Sequence, residues 1–164
     1  MRTVAALGAL FISGLALAEA KECRLTDKVI HSTVSEAQNK DDEGHVSQHV
    51  VGYATEKDNT QFMSWTDFTA AFAALQKAKI KNAASCGAKA SGPRMDCIDA
   101  ATAGITNAQQ CKATDSKQGC ATNPKPVTFK PKTVVFRYLN DSSTKNEWIV
   151  HTAYPSKKAT CPKS

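Results

Sequence analysis

The sequence lacks any long apolar run after its first 20 residues, so no later segment predicts a membrane-spanning helix. It has no Cys-x-x-Cys pair, and its cysteines are widely and irregularly spaced, which disfavours a structural zinc site. Large apolar residues are few between residues 83 and 126, so we do not expect a separate core there. Histidine is also scarce, with four in 164 residues, yet two of them stand four residues apart.

The first 20 residues have the pattern of a secretory signal peptide. Arg2 precedes an apolar stretch over residues 4–17, and Ala18-Glu19-Ala20 matches a cleavage site with small residues. We therefore expect cleavage near Ala20 and export of residues 21–164, without a membrane anchor. That length suits a single domain, which we expect to be monomeric.

The net charge of +6 admits two interpretations. A basic exported protein is suited to an anionic partner such as RNA, DNA, an acidic polysaccharide or a membrane surface. Alternatively, the lysines only keep the protein soluble. Charge alone does not choose between them.

All six cysteines lie after the predicted signal peptide, which predicts a disulfide framework formed in an oxidising compartment. The sequence does not choose among the 15 pairings that six cysteines allow. Four of the cysteines fall within residues 83–126, and we interpret this segment as a Cys-rich insertion in the single domain. Its stretch MDCIDAATAGI is predicted to form a short helix.

Three helices are predicted in the first half of the chain. Thr26 can cap the first helix, whose apolar face would be Ile30, Val34 and Ala37. Asp41 or Asp42 can cap a short second helix that carries His45 and His49 on one side and ends at Gly52. Ser64 or Thr66 can cap the third, with Asp67 in capping-box spacing and a core stripe of Phe68, Phe72 and Leu75.

The end of the chain predicts an antiparallel hairpin and, with the helices before it, an α+β fold. Residues 133–139 and 147–155 are rich in β-branched and aromatic residues, a polar turn separates them, and Pro155 should end the second strand. Strict alternation would place Trp148, Val150, Thr152 and Tyr154 on one face and Ile149, His151 and Ala153 on the other. His151 then points away from Thr152 and Tyr154 unless a bulge intervenes.

Three stretches together resemble the bacterial ribonuclease A-like toxin domain found at the C-terminal ends of contact-dependent growth inhibition proteins. They are GHVSQHV (44–50), FMSWTDFTAAF (62–72) and EWIVHTAYP (147–155). The chain departs from the family in having one glycine, Gly44, where a pair is usual, and in the segment 83–126. We also expect it to be a small stand-alone secreted protein rather than the C-terminal end of a much larger one.

The resemblance implies a metal-independent ribonuclease with a ribonuclease A-like fold and no cofactor. It implies a catalytic histidine at His45 or His49, catalytic Thr152 and Tyr154, and a basic residue nearby. That residue could be Arg137 or Lys57, and the sequence does not decide. RNA would be the substrate, and a dedicated inhibitor (immunity) protein would be a candidate partner if the protein is a toxin.

Each candidate residue has a plainer interpretation. His45 and His49 can be solvated side chains, or zinc ligands, although position 46 is Val rather than the Glu of the H-E-x-x-H motif. Thr152 can be an ordinary strand residue, Tyr154 a core aromatic and His151 a strand residue facing core or solvent. The competing function is a non-enzymatic secreted, disulfide-rich protein that binds an anionic ligand.

Overall fold

The computed structural model describes residues 21–87, 93–140 and 147–162, which form an α+β structure as expected. The helices are α1 (Asp27–His31), α2 (Glu36–Asp41) and α3 (Trp65–Lys77). The strands are β1 (Thr60–Phe62), β2 (Arg94–Asp99), β3 (Ala108–Gln110), β4 (Val127–Phe129), β5 (Thr133–Asn140) and β6 (Trp148–Ser156). The strands form two antiparallel three-stranded sheets, with strand orders β1-β3-β4 and β2-β5-β6.

The expected order of helices first and strands last is wrong in detail, because β1 precedes α3 and because β2 and β3 lie mid-chain. In the described ranges, no helix combines the length and the apolar character needed to cross a membrane. The predicted signal peptide, residues 1–20, lies outside the described residues.

Helix α3 forms as the sequence predicts and packs on the sheet that contains β5. The Ser64 hydroxyl accepts a hydrogen bond from the Asp67 N–H at 3.1 Å, so Ser64 rather than Thr66 is the cap. Phe68, Phe72 and Leu75 are buried, which contributes about 1.5–3 kcal/mol for each side chain. The rings of Phe68 and Phe72 both contact Phe136 of β5.

The first predicted helix is wrong, because two short helices replace it. Ser35 caps α2 by accepting from the Gln38 N–H at 3.1 Å, so the chain begins a new helix there. The predicted apolar face is solvent-exposed, with Val34 at 67%, and Val29 is the buried residue of α1 instead. The break between α1 and α2 changes which side chains face the core, so the predicted apolar face is not buried.

The segment 83–126 contributes strands to both sheets. The predicted helix in MDCIDAATAGI is wrong, since β2 pairs along its length with β5, and β3 lies between β1 and β4. The sequence of β2 does not show the apolar–polar alternation of a strand, because a carboxylate, Asp96, occupies a core position. It accepts from the Tyr138 hydroxyl at 3.0 Å and the Ala84 N–H at 2.8 Å, and burial raises the pKa of Asp96.

Three disulfides join all six cysteines, which confirms the disulfide framework. Only Cys111–Cys120 lies within the segment 83–126. The other bridges, Cys23–Cys86 and Cys97–Cys161, attach that segment to the two ends of the described chain. The segment is therefore tied to the rest of the protein by strand pairing and by covalent bonds.

The predicted hairpin is confirmed, with β5 antiparallel to β6. Pro155 does not end β6, which continues to Ser156 at the edge of its sheet, where a missing N–H is tolerated. The predicted polar turn falls mostly on residues 141–146, outside the described residues. The register shifts within the hairpin: Arg137 lies opposite Thr152, whereas Tyr138 lies opposite Val150, so His151 is the extra residue of a β-bulge.

Candidate active site

The bulge in β6 is covered by the N-terminal region, which supplies hydrogen bonds to the open edge of this strand. The Val150 N–H donates to the Ser32 hydroxyl at 3.0 Å, and the Val150 carbonyl accepts from the Asn39 amide at 2.8 Å. The His45 N–H donates to the His151 carbonyl at 2.5 Å. These bonds satisfy backbone groups that an edge strand would otherwise leave unpaired, and they bring His45 to the bulge.

Asn39 lies buried among the N-terminal residues that cover the bulge, with 1% of its surface exposed. Besides the Val150 carbonyl, it bonds the Ser32 carbonyl at 3.0 Å and the Val46 N–H at 3.1 Å. Gly44 approaches it so closely that a Cβ on Gly44 would lie 2.3 Å from the Asn39 Oδ1. Only glycine fits beside this amide, so Gly44 and Asn39 together fix the position of the residues that follow.

Those residues form a 3₁₀ helix, Val46–His49, and not the predicted α-helix. His45 is the residue before its first turn, and Asp42 ends α2 and pairs with Lys28 at 2.6 Å instead of capping a new helix. Val46 and Val50 are buried in the core. His45 is exposed and His49 partly buried, and both still lie against β6.

His45 contacts His151 across the bulge. Their ring centroids are 4.5 Å apart with the planes tilted by 51°. The Nδ1 of His151 is buried and has no hydrogen-bond partner among the described residues. Burial lowers the pKa of His151, and the positive charges of His45 and Arg137 lower it further. A cavity of about 470 Å³ adjoins the pair and is lined by Glu43, His45, Leu139, Asn140, Ile149 and His151.

His49 contacts Tyr154 further along the same strand, with ring centroids 5.3 Å apart. The Nδ1 of His49 lies 2.8 Å from the Thr60 carbonyl. A carbonyl only accepts, so Nδ1 carries the proton and Nε2 keeps the lone pair that can take a proton from a substrate. Burial lowers the pKa of His49, while the Thr60 hydrogen bond and the Glu56 carboxylate oppose that shift.

Thr152 and Arg137 lie opposite each other between these two histidine contacts. The Thr152 hydroxyl is buried and has no hydrogen-bond partner in the described part of the chain. Burial raises the pKa of Tyr154, and the nearby Arg137 charge opposes this. The neutral phenol and the Arg137 guanidinium are thus both hydrogen-bond donors on this side of the sheet.

The predicted alternation along β6 is wrong beyond the bulge. Trp148 and Val150 belong to the core, as does Ala153, whereas Thr152 and Tyr154 lie on the face of Arg137. The extra residue is the reason, because it shifts the side-chain phase by one position. The bulge that the sequence left open therefore exists, and it places His151 beside His45 and within the influence of the Arg137 charge.

We refer to six residues as the β6 site: His45, His49, Arg137, His151, Thr152 and Tyr154. Five were candidates from the sequence, and the structure brings them together. The sixth, His151, is not a candidate from the sequence. Only the bulge brings it to the site, and no pattern in this sequence predicts that bulge.

Lys57 lies in a different place from Arg137. It is exposed and lines a second cavity of about 340 Å³ together with Gln48 and Glu56. This cavity adjoins the His49 end of the β6 site, since Gln48 precedes His49 and the Glu56 charge acts on His49. Another cavity, of about 670 Å³, surrounds the Cys97–Cys161 bridge and contains no histidine.

Over the described ranges, no group of three or more His, Cys, Asp or Glu side chains is arranged to hold a metal ion. No protein-family model, curated protein sequence or solved structure matches the chain. The resemblance to the ribonuclease A-like toxins stays a prediction.

Proposed function

We propose that the protein is a secreted, ribonuclease A-like enzyme that cleaves single-stranded RNA by metal-independent transesterification. The observation that carries this proposal is the arrangement of the β6 site. Histidines lie at both of its ends, and an arginine, a threonine and a tyrosine lie between or beside them. Attack by a ribose 2′-OH on the adjacent phosphate needs a base, an acid and donors around the phosphate.

His49 is suited to the role of base. The Thr60 carbonyl fixes its neutral tautomer, and its lowered pKa keeps Nε2 unprotonated near neutral pH. It would take the proton of the 2′-OH as the 2′ oxygen bonds to phosphorus. The bond to the 5′ oxygen then breaks, which leaves a 2′,3′-cyclic phosphate and a 5′-OH, with the proton for the 5′-OH coming from the His45 end of the site.

Arg137, Thr152 and Tyr154 are suited to binding the phosphate between the two ends. The guanidinium can contact two phosphate oxygens, and the buried Thr152 hydroxyl, without a partner in the described part, would gain one if ligand binding displaced the groups that cover it. An unpaired buried hydroxyl costs about 1–3 kcal/mol, so a phosphate oxygen in that place is stabilising. The net charge of +6 favours association with an RNA polyanion.

Disulfides on all six cysteines support an oxidising destination, in agreement with the predicted signal peptide. A secreted ribonuclease that enters other cells would be a toxin. Its producer would then need a dedicated inhibitor protein against it. This role rests on the resemblance and on the proposed activity together.

The test is incubation of the oxidised, secreted protein with labelled RNA in EDTA, beside a His45→Ala/His49→Ala variant. We expect the wild type to produce 2′,3′-cyclic phosphate ends and the variant to produce none while it still melts cooperatively. His31→Ala is the control, because His31 is an exposed histidine whose ion-pair partner is Asp42, outside the β6 site. Full activity of the double variant would refute the mechanism. RNA that is bound in a salt-dependent manner but left intact by the wild type would favour the anionic-ligand-binding protein.

A further inference from the structure

His151 is the histidine whose position neither the sequence pattern nor the resemblance explains. It is the extra residue of the bulge, and its backbone carbonyl accepts from the His45 N–H. A bulge in an edge strand re-aims a side chain, and such bulges commonly lie next to active sites. The position of His151 beside Arg137 therefore requires a separate explanation.

Two neighbouring polar atoms, the Nδ1 of His151 and the hydroxyl of Thr152, are buried without a protein partner in the described part of the chain. Each such atom loses the hydrogen bonds that water would give it and gains none in return. The two atoms lie on consecutive residues near the Arg137 guanidinium, and the His151 side chain lines the cavity of about 470 Å³ from which a ligand can reach it.

The spacing along β6 sets the distance between the two histidine contacts. His151 and Tyr154, which contacts His49, are three residues apart, and a strand advances about 3.3 Å per residue, so the backbones of these two residues lie about 10 Å apart or less. Arg137 and Thr152 fall inside that span. An in-line displacement needs its proton acceptor and its proton donor on opposite sides of the phosphorus, so the phosphate would have to bind between the two histidines.

We propose that His151 is a catalytic residue that gives its proton to the departing 5′ oxygen, an inference that rests on the ribonuclease function proposed above. His49 takes the 2′-OH proton, the 2′ oxygen bonds to phosphorus, the bond between phosphorus and the 5′ oxygen breaks, and the imidazolium of His151 protonates that oxygen. Solvent then returns a proton to His151 and removes one from His49. His45 holds His151 in place through ring contact and its backbone hydrogen bond.

The charges around His151 come from three elements. Arg137 on β5 and His45 before the 3₁₀ helix are cationic or can become so, and Glu43 lines the same cavity with a carboxylate. Burial and the two cations lower the pKa of His151 in the free protein, which makes its imidazolium a stronger acid. A phosphate bound at Arg137 favours the protonated form, since an anion stabilises the nearby positive charge.

The test compares two substrates that differ only in their leaving group. One is a dinucleotide, whose 5′ oxygen must be protonated, and the other is the matching nucleoside 3′-(p-nitrophenyl phosphate), whose phenolate leaves without a proton. His151→Ala and His151→Gln should each lower kcat/KM for the dinucleotide by about 100-fold or more and for the nitrophenyl ester by less than about 5-fold. His49→Ala should lower kcat/KM for both substrates by about 100-fold or more, because both need the base. His31→Ala should change neither.

The outcomes distinguish a failure of the His151 proposal from a failure of the proposed ribonuclease function. If the wild type cleaves both substrates and the His151 variants do so equally well, His151 is not the acid. If the variants lose both substrates in equal measure, His151 acts through the fold or as a base, and the inference is also wrong. If His45→Ala alone shows the leaving-group difference, His45 is the acid. A wild type that cleaves neither substrate would overturn the ribonuclease function itself.

Discussion

The backbone N–H of His45 donates to the backbone carbonyl of His151, and the rings of the same two residues lie 4.5 Å apart. One histidine comes from the loop before a 3₁₀ helix and the other from a bulge 106 positions later in the chain, so neither is placed by local sequence alone. Their contact depends on the hydrogen bonds that attach the N-terminal region to the edge of β6.

Asn39 is the side chain on which that attachment depends most. Asn39→Ala removes the partner of two carbonyls and one N–H in the core, so we expect the free energy of unfolding to fall by about 2–4 kcal/mol. The proposed ribonuclease activity should fall further than the loss of folded protein explains, because His45 then loses its support. Urea denaturation and RNA cleavage on the same preparation measure the two effects.

The control for Asn39 is Asn107→Ala, since Asn107 is exposed and, among the described residues, its amide bonds only the Thr106 hydroxyl, at 3.4 Å. That variant should stay within about 0.5 kcal/mol of wild type. Equal stability of the two variants would show that the buried amide does not hold the N-terminal region on β6.

Gly44 is the second position at which a small substitution should affect the β6 site. A Cβ at this residue would lie 2.3 Å from the Asn39 Oδ1, so Gly44→Ala must displace either the buried amide or the chain leading to His45. We expect a loss of about 1–3 kcal/mol in unfolding free energy, together with reduced RNA cleavage. Gly87→Ala is the matched control, because no atom of the described residues lies within 4 Å of a Cβ there.

Thermal or urea unfolding of the two glycine variants gives the comparison directly. The Gly87 variant should match wild type. If Gly44→Ala were as stable and as active as wild type, the close approach to Asn39 would not be what places His45.

The sequence predicts those parts of the fold in which local pattern and tertiary environment agree. Ser64 caps α3 and its aromatic stripe is buried, because cap, period and core all favour the same helix. The hairpin of β5 and β6 follows from β-branched and aromatic residues in the same way. The sequence also places Thr152 and Tyr154 on one face, which holds because both lie beyond the bulge.

Other parts depend on contacts that local sequence does not contain. The first helix breaks at Ser35, whose hydroxyl caps α2, while Ser32 just before it bonds to β6. Strand β2 has a carboxylate, Asp96, at a core position because Tyr138 bonds to it from β5. His151 joins the site only because β6 has one residue more than β5 at that place.

The acid side of the pH–activity profile depends on His49 and its neighbours. Burial lowers the pKa of His49 below 6.5. If His49 is the base, kcat/KM should fall only as the pH drops below 6.5, because the imidazole is then protonated and cannot accept a proton. The Glu56 carboxylate raises the same pKa, so Glu56→Gln should move the acid limb of kcat/KM to lower pH. Asp27→Asn, whose side chain is 98% exposed on α1, should leave the limb in place. A Glu56 variant with an unchanged or higher limb would argue against His49 as the base.

Two of the three disulfides should differ in what they contribute to stability. Cys23–Cys86 closes a loop with a sequence separation of 63, and Cys111–Cys120 closes one with a separation of 9. Because the longer loop restricts the unfolded chain more, replacing the first pair with alanine should cost about 4 kcal/mol and replacing the second about 3 kcal/mol. Cys23, Cys86 and Cys111 are buried whereas Cys120 is partly exposed, so the difference combines chain entropy with a smaller packing loss at Cys120. Urea unfolding of the two double variants gives the comparison. A larger loss from the Cys111–Cys120 pair would mean that this bridge holds β3 in its sheet by more than loop closure.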